Sequence, residues 1–404
     1  MTVIEESLKD KYSEDVETPT VRAEEGVMKD QNIAMNWPFK KKAINFAIVF
    51  MNGFIGYFSS SIYIPALLSL QTYFNANLTV INSTISLFIV ITGVAPLFWS
   101  PFSERIGRRW TYIITMLLYT VCSIVCGVST NLPLFYVFRV LQGVFCAAAT
   151  GVGGGSVADL FEPHQRGKAM AIFLLGVVLG PSFGPLVGGY VNQYAGWRWI
   201  FYILTIIGGV VTLLNIFFLK ETLYIDPNVE KPKGIAKFKF NPFTSLNILL
   251  TREGFLASLP QAVAFGFFYL LVTSLPIAFG SIYHFSTGSI GLCFLASGVG
   301  NCFGTIVSGM LSDRMYNIQK KRNNGVGKAE FRLKAVYVGV PFVILGLLLF
   351  GWFLQARTFH WIAPLIGLAI YSFGNMYVIS MLSTYMAEGF FPLSASGNKN
   401  NIMY

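Results

Sequence analysis

AINFAIVFMNGFIGYFSSSIYIPALLSLQTYFNANLTVINSTISLFIVITGVAPLFWSPFS, residues 43–103, contains no charged side chain. A helix needs about 20 mostly apolar residues to cross the hydrocarbon of a bilayer, so this run predicts two crossings, with Gln71 to Thr79 as the turn between them. The same test gives further spans near 110–128, 132–154, 168–191, 199–219, 255–280, 288–311, 335–354 and 361–383, ten in all. Backbone amides in hydrocarbon must be paired internally, and no segment alternates as a barrel strand would, so the spans are helices. The expected fold is an all-α integral membrane protein.

Composition agrees. Hydrophobic residues make up 54% of the 404 positions and charged residues only 12%, about half of what a soluble surface requires. With 37 phenylalanines most of the chain cannot stay solvated. Cys122, Cys126, Cys146, Cys293 and Cys302 all lie in apolar stretches without metal spacing, which excludes a disulfide scaffold or a zinc module. The net charge of +10 is not a nucleic-acid footprint, because the basic residues punctuate apolar runs instead of forming a soluble face. No cofactor and no metal are expected; the bilayer is the obvious partner.

Lys and Arg set the orientation. With the N-terminus inside, 21 of them flank the inner ends of the spans, against Arg198 and Arg357 on outer connections. Residues 1–41 hold nine acidic residues and no apolar run, and read as a disordered cytoplasmic tail. A six-helix bundle is expected over 42–222, a basic cytoplasmic linker over 223–254, four helices over 255–390 and a polar end over 391–404. The plasma membrane is the expected location, with the vacuolar membrane as alternative.

The uncharged run 43–103 ends in Ser103-Glu104-Arg105, and the run 254–312 passes into Asp313-Arg314 after Ser312. Each is a two-span hairpin followed by an acid, an arginine and a basic loop, so the second half reads as a parallel repeat of the first. Parallel halves rocking about a midplane site are a transporter design.

The loop Ser100-Pro101-Phe102-Ser103-Glu104-Arg105-Ile106-Gly107-Arg108-Arg109 resembles the signature loop between spans two and three of the major facilitator superfamily, with Ser100 for the usual Gly and Glu104 for the usual Asp. Gly107 permits a tight turn and the acid can cap a helix N-terminus. Arg139-Val140-Leu141-Gln142-Gly143 resembles that family's second motif, and Gly180-Pro181-Ser182-Phe183-Gly184-Pro185-Leu186-Val187-Gly188-Gly189 its antiporter motif, departing only at Ala171. Gly196-Trp197-Arg198-Trp199 and Lys220-Glu221-Thr222 are smaller matches. Together they resemble the fungal twelve-span drug:proton antiporters.

That resemblance implies two pseudo-symmetric bundles, twelve spans and export of amphipathic or cationic organic molecules, driven by a proton gradient and carried out by a monomer. Ten spans are present, so the resemblance implies a truncated product that alone is unstable or inactive. It places Arg139 and Gln142 in the central cavity and makes the Gly180, Pro181, Gly184, Pro185, Gly188 and Gly189 face a gate. It also makes Glu104, Arg105, Asp313 and Arg314 a lock at the inner face, Asp313 facing span five by pseudosymmetry.

No acid lies inside a span; the residue four before Pro65 is Ser61, which leaves coupling through a buried carboxylate unsupported. The polar candidates for a cavity are Asn52, Ser61, Tyr63, Gln261, Tyr269, Asn301, Tyr371 and Asn375, each equally readable as an interhelical tie. His284 and His360 fall at outer turns. Nutrient uptake, a membrane receptor and an inactive fragment remain alternatives to export; an enzyme does not fit, because no nucleophile, metal cluster or carboxylate pair lies in the spans.

Overall fold

The computed structural model describes residues 34–223, 251–323 and 333–395. Most of the expected tail, linker and polar end therefore lies outside the described residues. All ten expected spans are helical; the end of the protein that holds Lys40, Lys41, Lys42, Arg105, Arg108, Arg109 and Arg314 is called here the basic end, and the opposite end the far end.

Span 1 (Phe39–Phe74) runs from Phe39–Ser61 through a 3-10 turn at Ile64–Ala66 into Leu67–Phe74. Pro65 explains the break, since proline lacks the N–H that an uninterrupted helix would use. Asn75 ends the span in the left-handed conformation, φ 48°. Span 2 comprises Leu78–Val94 and Pro96–Ile106, bent by 42° where Pro96 follows Ala95. Its first turn is capped by Asn77, whose side chain accepts from the Thr79 N–H at 3.1 Å. Span 3 is Arg108–Val128, and span 4 joins Leu132–Cys146 to Ala148–Leu160, capped by Asn131. Spans 5 (Pro163–Ala195) and 6 (Trp197–Phe217) complete the first half.

The second half contains spans 7 (Arg252–Ile282), 8 (Thr287–Arg322), 9 (Leu333–Ala356) and 10 (Ile362–Ala395). Thr251 and Ser286 cap spans 7 and 8 by accepting from Gly254 N at 3.1 Å and Ser289 N at 3.3 Å. Span 10 continues past the expected limit of 390, to Ala395.

The first half is tied laterally by amides and small residues. Asn52 of span 1 and Asn215 of span 6 exchange side-chain hydrogen bonds at 2.9 and 3.0 Å. The halves meet chiefly where span 5 packs on span 8. There a side chain on Gly291 would strike the Pro185 carbonyl at 2.6 Å, and one on Gly189 the Thr287 carbonyl at 2.5 Å. Backbones this close admit only glycine.

Candidate functional site

Arg139 stands in the second turn of span 4 and is completely buried. It does not snorkel to a surface. Its guanidinium is 4.1 Å from the centre of the Tyr63 ring and 4.2 Å from that of Phe88, with Phe201 at 5.8 Å. Nη1 donates to Gln142 Oε1; the Gln142 amide in turn donates to Ser123 Oγ at 2.7 Å, and Tyr63 OH meets Thr84 Oγ1 at 3.2 Å. Nε and Nη2 have no hydrogen-bond partner among the described residues. An arginine at membrane depth costs about 3 kcal/mol on insertion scales, and a desolvated cation over an aromatic face regains about 2 kcal/mol. Two such rings are therefore enough to hold the cation without a carboxylate, which explains how the chain keeps it with no acid in span 1.

A separate cavity lies between the halves, with about 100 Å³ open to water-sized groups. Span 1 contributes Tyr57 and Ser60, span 2 Gly93, span 4 Cys146, and span 7 Phe265 and Tyr269. The Ser60 and Tyr269 hydroxyls meet at 3.4 Å across the two halves. Of the polar residues picked out in the sequence, Tyr269 alone lines this cavity. Arg139 and Gln142 do not line it: their side chains turn into the first bundle, where rings and Ser123 hold them. Asn52 is used by Asn215 and by the Ile48 carbonyl at 2.8 Å. Ser61 bonds the Gly180 carbonyl of span 5 at 3.3 Å, and Tyr63 lies under Arg139. In the second half Gln261 donates to Ser383 Oγ at 3.0 Å and Tyr371 to the Ala264 carbonyl at 2.6 Å, so both tie span 7 to span 10. Asn301 and Asn375 are buried with Oδ1 unpartnered. His284 and His360 are exposed. Tyr57 and Ser60 were not legible as cavity residues, because a span apolar all round does not announce which face it turns inward.

The Gly/Pro stretch is a packing face directed two ways. Gly180, Gly184 and Gly188, four residues apart, lie on span 1: an added side chain would meet Phe58 N at 2.7 Å from Gly180, Ser61 from Gly184 and the Ile62 carbonyl from Gly188. Gly189 and Pro185 turn instead to span 8. Both prolines stay inside one continuous helix.

At the basic end the acid that caps span 3 is Glu221. Glu104 is exposed, and Arg105 is half-buried. Glu221, 117 positions beyond Glu104, accepts from the backbone N–H of Arg108 at 2.8 Å and of Arg109 at 3.1 Å, so it caps span 3. Gly107, φ 109°, leaves room for that carboxylate, since a Cβ there would collide with it. Arg108 bonds Asp159 at 3.2 Å and Ser103 Oγ at 2.5 Å, and Arg109 donates to the Ile216 carbonyl at 2.7 Å. These contacts join spans 2, 3, 4 and 6 within one half; they do not reach the other. Arg314 is exposed, and the Asp313 side chain lies outside the described residues.

Residues 49–398 match the family model of the Major Facilitator Superfamily. The chain belongs to that superfamily. It is 34% identical over 390 residues to the MFS-type transporter hepF of Aspergillus oryzae, covering 91% of this chain and 80% of that one. It is 34% identical to the MFS transporter cpaT of the same species, covering 90% and 77%. In fold it resembles a bacterial homolog of the human lysosomal transporter Spinster, solved inward-facing and unoccupied, with TM-score 0.62 over 87% of this chain and 76% of that one at 14% identity. The xylose transporter XylE from E. coli, partially occluded and inward open, gives TM-score 0.62 over 88% and 86%, also at 14% identity. This major facilitator protein is thus an integral membrane secondary transporter with a small-molecule substrate, and not an enzyme.

Proposed function

We propose that this transporter exports small amphipathic organic molecules in exchange for protons, by alternating access around the cavity between its halves. One observation supports the reading most. A single cavity is walled by spans 1, 2 and 4 of one half and span 7 of the other, while Gly189 with Thr287, Gly291 with Pro185, and Gln193 with the Gly288 N–H at 2.9 Å bring the halves together toward the far end. The charge asymmetry favours a cytoplasmic basic end and N-terminus. The cavity then faces inward, as an exporter loading its cargo requires. The antiporter-like stretch in span 5 favours export over nutrient uptake.

In this reading Arg139, held away from the cavity wall, is the proton-coupling cation, and its unpaired Nε and Nη2 support that role. The protein acts as a monomer in the plasma membrane and uses the proton gradient without any cofactor. The test is uptake into inverted vesicles holding the full-length transporter. Accumulation that collapses on adding an uncoupler supports proton exchange; accumulation that persists overturns it.

A further inference from the structure

Resting on the reading that the cavity between the halves holds the substrate, we propose that the part recognised there is an uncharged ring bearing a hydroxyl or carbonyl oxygen. Tyr269, Ser60 and Tyr57 bond the oxygen, and Phe265 packs on the ring.

Among the described residues, the cavity wall has no Asp, Glu, Lys, Arg or His. An ion entering it loses water and gains no opposite charge, a heavily penalised transfer in a low-dielectric site. The buried cation Arg139 is seven residues from Cys146 on span 4, about 10 Å along the helix, and is enclosed by its own rings. What the wall does offer is hydroxyls and aromatic edges. Thr92, Thr150 and Ser60 spend their hydrogens on the Ile89, Ala147 and Tyr57 carbonyls, at 2.8, 2.8 and 2.7 Å, so Ser60 is left to accept from Tyr269 or from a substrate hydroxyl. The bond between Ser60 and Tyr269 is long, at 3.4 Å, and joins the two halves. A substrate oxygen seated between them replaces a poor hydrogen bond with better ones, and so links recognition to a contact that must change as the halves move. Phe265 and Tyr269 meet edge to face, centroids 5.1 Å apart, and form the aromatic wall. A dry cavity of about 150 Å³ takes one benzene; the space here, about 100 Å³, takes the oxygen-bearing edge of a ring, with the remainder of the molecule toward the open side.

Gly93 supplies a clean block. A Cβ there meets nothing within 4 Å, so Gly93→Leu extends from the cavity wall into open space. Binding of four probes to the purified full chain is compared by equilibrium dialysis: 1-naphthol, naphthalene, 1-naphthoate and 1-naphthylmethylammonium. The proposal expects 1-naphthol to bind at least tenfold more tightly than either charged probe. Tyr269→Phe should bring it down to the level of naphthalene, and Gly93→Leu should weaken it at least tenfold at an unchanged Tm. Should Gly93→Leu fail to fold, the Tyr269→Phe result decides. Equal or tighter binding of a charged probe, or 1-naphthol binding indifferent to both variants, overturns it. Loss of uncoupler sensitivity in vesicles would count against proton exchange alone and leave this binding order standing, whereas coupled efflux of a cation unaffected by Gly93→Leu would sink the neutral-ring assignment alone.

Discussion

Asn52 and Asn215 are each other's partner: the two buried amides exchange hydrogen bonds at 2.9 and 3.0 Å between spans 1 and 6. Polar pairs between membrane helices average about 0.6 kcal/mol and reach about 1.7 kcal/mol. A reciprocal, fully buried pair belongs at the upper end, because removing one member strands the other.

Asn215→Ala is therefore expected to destabilise the protein by about 1–2 kcal/mol, since it leaves the Asn52 Oδ1 unpaired. The double variant Asn52→Ala/Asn215→Ala should cost clearly less than the two single losses together. A double-mutant cycle on unfolding in mixed micelles reads this directly, and additive losses would mean that the pair is not coupled.

Glycines of the first half should differ sharply in what they tolerate. Gly188→Ala pushes a methyl into the Ile62 carbonyl, and loss of folded protein at the membrane is expected. Gly209 has nothing within 4 Å, and Gly209→Ala should be neutral or stabilising by up to about 1 kcal/mol. Fluorescence size-exclusion profiles of the two variants make the comparison; equal profiles would contradict the packing described for span 5.

The number of spans, the basic end and the glycine face are all legible in the sequence, because each follows from composition along the chain: uncharged length, the side on which Lys and Arg fall, and glycine recurring every four residues. Partners across the fold are not. The signature loop shows an acid at Glu104, yet the carboxylate that caps span 3 is Glu221, brought there by the return of span 6. Arg139 is recognisable as a buried cation, but its neighbours Phe88 and Phe201 are two among 37 phenylalanines, and nothing in their spacing marks them as its cage. Asn52 and Ser61 looked like cavity residues for a related reason: the rotation of an apolar helix about its own axis is set by its neighbours.

Glu221→Ala removes the cap of span 3 and should cost about 1–2 kcal/mol; Glu221→Gln should recover only part of this, because its one amide oxygen replaces two carboxylate oxygens that accept from Arg108 and Arg109 separately and carries no charge for the helix dipole. Thermal unfolding of the two variants ranks them; an unaltered Tm in Glu221→Ala would show that water replaces the cap at no cost.

Arg139→Ala is expected to abolish gradient-driven efflux in the full-length transporter while surface expression is retained. Arg139→Lys should not rescue it, because an ammonium cannot lie flat between Tyr63 and Phe88 while donating to Gln142. Efflux and surface biotinylation measured on the same cells separate the two quantities. Undiminished efflux from Arg139→Ala would remove it from the mechanism.

Movement of the halves about the shared cavity is tested most directly by fastening them together where they meet. Gly280 of span 7 faces Leu68 of span 1, the Cβ it lacks falling 3.6 Å from Leu68 Cδ1, an ordinary contact across the two halves. In a variant with the five native cysteines replaced by alanine, Leu68→Cys/Gly280→Cys should be joined by a short bifunctional methanethiosulfonate reagent, efflux should stop, and reduction should restore it. Undiminished efflux from fully crosslinked protein would contradict alternating access between these two halves.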